Sequence, residues 1–264
     1  MRRHSEKMIC LGLIATVCLW LLVFSPVWAE EDQHLVGLWH FNEDEGDVLA
    51  DSSGKGLDAK QVNCEWTDGK FDSSALRFNK ADSHVVIPYN EALDLQVFTI
   101  EFWTKFENAP TSDAAFMSNR GWQVGDKMTG FTMRSAALGA DIYLEVLTKG
   151  KLHCGKPIVA EDWLFIAVTY DANDKIQFYM NGEVKTEVPA RGEFTYAGEE
   201  LWIGAEPGLN YPFGGLGADI AIDEVRISDV VRTQEEIKWA MESGYGQMAV
   251  SPSLKLPTTW GALK

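Results

Sequence analysis

Positive charge is scarce in this chain. It carries 23 Lys and Arg against 39 Asp and Glu, a formal net charge of −16. Three of the basic residues (Arg2, Arg3 and Lys7) and one acidic residue (Glu6) fall within positions 1–29. Residues 30–264 hold 20 basic against 38 acidic residues, a formal −18. So acidic a surface repels phosphate backbones and excludes nucleic acid as a partner. The acidity comes without charge runs and serves solubility; its more specific reading is affinity for cations, calcium in particular.

Cysteine is also sparse, with 4 in the chain. Cys10 and Cys18 lie in an apolar N-terminal run, and neither follows the Leu-(Ala/Ser)-(Gly/Ala) of a lipoprotein box. Cys64 and Cys154 remain. No Cys-x-x-Cys pair exists, which disfavours a zinc site. An oxidising compartment permits one Cys64–Cys154 disulfide, and the alternative is two separate buried thiols. No Gly-x-Ser-x-Gly nucleophile elbow occurs. There is no internal repeat and no second domain.

The ends differ from the middle. Arg2, Arg3 and Lys7 precede the uncharged run 8–24, "MICLGLIATVCLWLLVF", and Val27-Trp28-Ala29 forms a small-residue cleavage site. Residues 1–29 therefore read as an export signal, with an uncleaved membrane anchor as the alternative, because the run reaches the lower length of a span. The expected location is secreted, periplasmic or cell-surface. Residues 243–264 contain Gly, Ser and Pro without periodicity and read as a flexible tail. That leaves 30–242 as one domain, long enough for a two-sheet core.

Short strands separated by turn signals fill this domain, the pattern of an all-β sandwich or barrel. Expected strands include 35–41, 59–66, 75–78, 83–89, 97–106, 130–135, 142–148, 163–170, 175–180 and 201–204. In 97–106, Phe98, Ile100 and Phe102 share one face. "WLFIAVTY" (163–170) is apolar on both faces, as in a covered central strand. Asn181-Gly182 is a strong hairpin signal, and Asp68-Gly69 is a further turn pair. In the last strand, 217–228, Ile220 and Ile222 share one phase and Val225 and Ile227 the other. The slip across Asp223-Glu224 predicts a β-bulge. A closing helix comes next, with Thr233 as N-cap, Glu236 completing a capping box, and Ile237 and Ala240 on the packed face.

Several landmarks recur in order over roughly 35–240. They are Trp39, Phe41, Asn42 and Glu43 followed by Gly46 and Asp51-Ser52-Ser53-Gly54-x-Gly56; Gly69-Lys70-Phe71; Ala75-Leu76-Arg77-Phe78; Phe98 to Trp103; Trp163 to Asp171; Tyr179 to Gly182; and Ile222 to Ile227. The ordered set resembles the LamG-like jelly roll of the concanavalin A-like lectin/glucanase superfamily. The resemblance implies an all-β, two-sheet antiparallel jelly-roll sandwich with one short C-terminal helix. It also implies a binding or adhesion module; fold alone does not fix function.

Many relatives carry a structural calcium linking the first and last strands. Asn42, Asp51 and Asp223 are oxygen donors on the matching segments, and Gly56 offers a carbonyl. Asn42 stands where Asp is more usual, one negative charge fewer. The plainer reading of the same residues is structural: Asp51 and Asn42 capping turns, Asp223 paired with Arg226.

Glycan binding is the leading functional expectation. Trp122 in "NRGWQVGDKMTG" (119–130) and Tyr211 in "GLNYPFGG" (208–215) are aromatics in expected loops, with Asn119, Arg120, Gln123 and Asn210 as hydrogen-bonding neighbours. Trp103 and Trp163 lie in strands and read as core. Catalysis is disfavoured. Glucanases on this architecture use Glu-x-Asp-x-x-Glu, which is absent. Alginate-lyase relatives need Arg-x-Glu-x-Arg and Gln-x-His strands, and here Arg134 stands without the rest. Protein–protein adhesion is the alternative class. The expected partner is an extracellular glycan or a surface protein, with a membrane only if the leader stays as an anchor.

Overall fold

The structure, a computed structural model, describes residues 32–108, 111, 113–123, 127–136, 141–146, 150–153, 162–207 and 219–245. The expected leader, most of the expected tail, Cys154, Asn210 and Tyr211 lie outside these residues, as do the side chains of Trp122 and Gln123.

Two antiparallel sheets face each other. The first is built from β1 (Leu35–Trp39), β4 (Glu65–Asp68), β5 (Ser74–Phe78), β7 (Val97–Asn108), β14 (Leu164–Asp171), β15 (Lys175–Met180), β16 (Glu183–Pro189) and β18 (Asp219–Ser228). The second holds β2 (Val48–Leu49), β3 (Ala59–Val62), β6 (His84–Ile87), β8 (Ala114–Ser118), β11 (Phe131–Ser135), β12 (Ile142–Val146), β13 (Gly150–His153) and β17 (Leu201–Ile203). A separate hairpin joins β9 (Gly121–Gln123) to β10 (Lys127–Thr129), and α1 (Gln234–Ser243) closes the fold. The strand order is β16-β15-β14-β7-β18-β5-β4 in the first sheet, with β1 also on β18, and β13-β12-β11-β8-β17-β6-β3-β2 in the second. This is the expected jelly-roll sandwich.

Alternation along each strand fills the space between the sheets. Phe98, Ile100 and Phe102 of β7, Ile166, Val168 and Tyr170 of β14, and Phe116, Met133 and Leu144 of the opposite sheet all belong to one buried core. The out-of-phase residues of β14, Phe165 and Ala167, face away from that core. They pack with Trp103, Tyr179 and Ile237 of α1 in a second cluster. A strand apolar on both faces is thus covered on both, by a sheet and by a helix. Thr233 caps α1 in the expected capping box with Glu236, and Ile237 and Ala240 are fully buried.

The bulge in β18 lies where predicted. Register shifts between Asp223 and Arg226, and Glu224 takes a left-handed φ of 53°. Its consequence is visible in packing: Ile220 and Ile222 before it and Val225 and Ile227 after it all reach the same core. It also marks a change of neighbour. Ile220–Ile222 pair with β5, whereas Val225–Ser228 pair with β1.

Three sequence expectations are corrected. The expected strand 59–66 is two strands in different sheets, because Asn63 adopts φ 53° and turns the chain between β3 and β4. The stretch 119–130 is not a plain loop but contains the β9–β10 hairpin. The folded domain runs past 242: α1 continues to Ser243, and Tyr245 is 3% exposed, with Arg226 over its ring. Of the two readings left open for Cys64, the structure has the buried free thiol, and Cys154 lies outside the described residues. The Cys64 Sγ donates toward the Val62 and His84 carbonyls, and burial pushes the thiol up to about 12.

Candidate functional site

Two regions collect the residues expected to carry function. The first lies beside the β18 bulge. Asp223 is fully buried, and its Oδ2 accepts the Lys70 N–H at 2.8 Å. Gly69 lies so close that a Cβ there would sit 2.8 Å from the same oxygen. Asp223 Oδ1 is buried with no hydrogen-bond partner among the described residues. Burial, opposed by the Lys70 N–H and aided by the neighbouring Glu224 charge, pushes this carboxyl up to about 7. Such a group is short of a positive partner.

Around it, Glu224 Oε2 meets His40 Nδ1 at 2.8 Å. The hydrogen bond to Glu224 raises the His40 pKa against the cost of burial, and the Glu224, Asp223 and Glu43 charges add to it. Glu43 accepts the Ala50 N–H through Oε1, while its Oε2 is buried without a partner among the described residues. Arg226 does not pair with Asp223. It reaches Glu101 and Asp32 instead.

Asp51 has different work. Its Oδ1 accepts the Leu38 and Ser53 N–H groups, and its Oδ2 accepts the Ser53 hydroxyl and the Leu57 N–H. Despite the cost of burial, these donors hold its carboxyl below the usual range. Asp51 is therefore the organiser of the Gly-rich turn, the plainer of its two sequence readings. Asn42 and Gly56 are exposed, the latter with φ 75°.

Against the oxygen-rich coordination calcium requires, the residues divide. The orphaned oxygens of Asp223 and Glu43 fit a hard cation, whereas both oxygens of Asp51 already serve backbone donors. Among the described residues, no three His, Cys, Asp or Glu side chains form a preformed metal cage.

The second region is the outer face of the second sheet. Residues of this sheet that alternate with the core point there: Thr132 and Arg134 of β11, Tyr143 of β12, and Trp202 of β17. Glu206, 1% exposed, is the hub. Arg120 and Arg134 both bond its carboxylate, and the Thr132 hydroxyl donates to Oε2 at 3.3 Å. At one side the Tyr143 hydroxyl meets Asp113, and Lys151 Nζ reaches both at 3.1 Å. Lys151 also lies over the Tyr143 ring.

This placement revises two of the expected glycan contacts. Asn119 is 5% exposed, and its Oδ1 accepts the Phe131 N–H at 2.8 Å. Gly130 packs directly on it; a Cβ at Gly130 would lie 2.5 Å from Asn119 Oδ1. Arg120 is 8% exposed and bound to Glu206. Both secure the base of the β9–β10 hairpin rather than offering free donors. That hairpin carries Trp122 and Gln123 in its backbone, with Trp122 opposite Met128. Sequence reasoning missed Glu206, because a single Glu in "IGAEPG" (203–208) matches no motif. It also missed His40 and Glu43, although both sit in the quoted Trp39–Glu43 landmark. Nothing local in the sequence pairs His84 with Trp202.

The architecture is that of a concanavalin A-like lectin/glucanase sandwich. The family model described as "Concanavalin A-like lectin/glucanases superfamily", a laminin G type, matches residues 79–238. The chain belongs to this family. No curated protein matches it. Among solved structures, it is similar to the binding domain of Paraclostridial Mosquitocidal Protein 1 at 16% identity and a TM-score of 0.62, covering 80% of this chain and 52% of that one. It is also similar to the botulinum neurotoxin serotype G binding domain at 13% identity and a TM-score of 0.61, covering 78% and 50%. The receptor binding domain of the botulinum neurotoxin C/D mosaic serotype is similar at 12% and 0.60, covering 80% and 51%. The chain thus spans about half the length of these domains, and at such identities the likeness is one of fold.

Proposed function

We propose that this protein is an exported, non-catalytic binding module for extracellular carbohydrate. The observation that carries the reading is the outer face of the second sheet. There the sheet leaves Trp202 and His84 half-open, while Tyr143 and Thr132 are buried and the buried carboxylate of Glu206 is held by Arg120 and Arg134. A glycosidase needs two carboxyl groups across a scissile bond, one able to give a proton. A carboxylate shared by two guanidiniums is poorly suited to that task. Solved domains of similar fold are binding domains by name, which supports the class. The leader-like residues 1–29 support a secreted, periplasmic or cell-surface location.

The same proposal includes a structural calcium beside the β18 bulge. Asp223 would hold it, with Glu43 and Asn42 of the segment after β1. Asp51 and Gly56 would support the site by shaping the neighbouring turn. The ion would compensate buried negative charge and tie the first strand to the last.

The test is thermal melting of residues 30–264 in calcium, in excess chelator, and against a glycan panel. A ligand bound only by the folded state raises the melting temperature. A calcium-dependent rise abolished in Asp223→Asn supports the metal. A rise with glycans supports the binding module. No shift with any glycan moves the reading to protein–protein adhesion.

A further inference from the structure

Trp202 and His84 project from adjacent strands of the second sheet, on the face away from the core. Their strand neighbours Leu201, Ile203, Val85 and Ile87 are buried between the sheets, so alternation places Trp202 and His84 outside. The two rings stack with centroids 4.2 Å apart and planes within 7°. Both residues are only half-buried. Each ring is also fixed at its edge. Trp202 Nε1 donates to Glu200 Oε2 at 3.0 Å, and His84 Nδ1 lies 2.8 Å from the Asp82 carbonyl.

These bonds determine what the platform can recognise. A carbonyl only accepts, so His84 Nδ1 carries a proton, which leaves Nε2 as the acceptor when the ring is uncharged. Glu200, an exposed carboxylate, accepts only. Glu199 packs beside Gly121, where a Cβ would meet its Cγ at 2.4 Å, and so borders the β9–β10 hairpin. Tyr89, 46% exposed, lies 3.7 Å from the Cβ position of Gly198 and adds an aromatic ring at the same end. Lys60 sits in the same cross-strand row beyond Val86 and contributes one positive charge. Glu199, Glu200 and Asp82 outnumber it.

We infer that the Trp202–His84 stack is the sugar platform of this module, and that it takes uncharged, hydroxyl-rich glycans rather than sulfated, sialylated or uronate-bearing ones. This rests on the glycan-binding reading above and gives it a site and a ligand class. A sugar presents an apolar C–H face to an aromatic plane and hydroxyl donors at its rim. Acceptors at Glu200 and His84 Nε2 match those donors. An anionic sugar would meet carboxylates at the rim and a formal −18 over residues 30–264, and would be repelled. Rings already locked by their edge hydrogen bonds lose little freedom on binding.

The test is isothermal titration of residues 30–264 with neutral oligosaccharides (β-glucan, xylan, mannan and galactan fragments) and with sulfated, sialylated and uronate-bearing ones. It is repeated on Trp202→Ala, Glu200→Gln, His84→Gln and Trp122→Ala, with each variant's melting curve as a folding control. We expect neutral oligosaccharides alone to bind. Trp202→Ala should weaken binding by about tenfold or more, and Glu200→Gln by about threefold. Should Trp202→Ala fail to fold, Glu200→Gln and His84→Gln, which leave both stacked strands' core residues in place, carry the test. Neutral-glycan binding that survives all three but is lost in Trp122→Ala overturns the platform while leaving the module a glycan binder. Binding of anionic glycans alone overturns the ligand class. Binding of none overturns both this inference and the reading beneath it.

Discussion

The outer faces of the two sheets are treated in opposite ways. On the first sheet, α1 seals the surface. Ile237 covers Trp103, Phe165, Ala167 and Tyr179, and Ala240 sits with Leu35, Leu38 and Tyr245. Beside these clusters lies a buried ionic chain: Glu101 to Arg226, Arg226 to Asp32, and Asp32 to Arg232. On the second sheet no described helix covers the outer face. Its polar hub, Glu206 with Arg120 and Arg134, is buried, but the Trp202–His84 stack at its flank is half-open. The first face commits its aromatic residues to stability, while the second buries Tyr143 but leaves the Trp202–His84 pair half-open. Binding needs the second pattern, because a ligand requires rings that are rigid and reachable together.

The largest effect should come from the hub of the open face. Glu206→Ala removes the carboxylate shared by Arg120 and Arg134, leaving two buried guanidiniums without their common counter-charge. Breaking a buried pair from one side costs about 3–5 kcal/mol. Chemical denaturation should show a loss of that size. Because Arg120 anchors the base of the β9–β10 hairpin, amide exchange should rise there first. A loss under about 1 kcal/mol would show that the two arginines are solvated, and that the hub is not the support of this face.

The matching change on the sealed face is Ile237→Ala. Ile237 is fully buried against the first sheet, and truncating such a residue costs about 2–5 kcal/mol. The comparison is sharpened by where the structure loosens. Exchange should accelerate in β14 and β15 beneath the helix while β11 and β17 stay protected. Glycan affinity should remain unchanged, since the helix and the stack lie on opposite outer faces. Loss of affinity in this variant would mean that the two faces are not independent.

The strands, the bulge and the helix cap were legible because each rests on local chemistry. Alternation at Phe98, Ile100 and Phe102, the phase slip at Asp223-Glu224, the Asn181-Gly182 turn and the Thr233–Glu236 box are all contained within a few residues. The site was less legible because its contacts are distant in sequence. Arg120, Arg134 and Glu206 meet only once β8 and β11 are paired and the segment after β17 is laid beside them. Likewise, Trp202 finds His84 only across the β17–β6 pairing. Asn119 and Arg120 looked like free hydrogen-bonding groups in a loop because nothing local announces that Gly130 and Glu206 will bury them. Asp51 was double-valued in the sequence, as ligand or turn former, and four backbone and hydroxyl donors decide for the turn. Asn63 shows the converse failure. One left-handed residue inside an otherwise strand-like run moves the chain to the other sheet, and no hydrophobic period records it.

The smallest effect belongs to Asp32, at the rim of the sealed face. Burial works against its charge, but the hydrogen bond and charge of Arg232, and then the charge of Arg226, outweigh it and hold the folded carboxyl below its ordinary value of 3.8. Folding therefore favours the ionised form. The stability this supplies is fully present above the unfolded value, so above about pH 4, and is lost as pH falls through the lower folded value. Asp32→Asn should cost about 1.5 kcal/mol at neutral pH. The cost is modest because Arg226 keeps Glu101, and Arg232 keeps Ser228 and Glu236. The variant should also flatten the stability–pH curve below pH 4, and the difference between the two proteins should vanish at the acid end. A difference that persists unchanged to the lowest pH would show that the Asp32 contacts act through packing rather than charge, and that the ionic chain on the sealed face is held together without its N-terminal carboxylate.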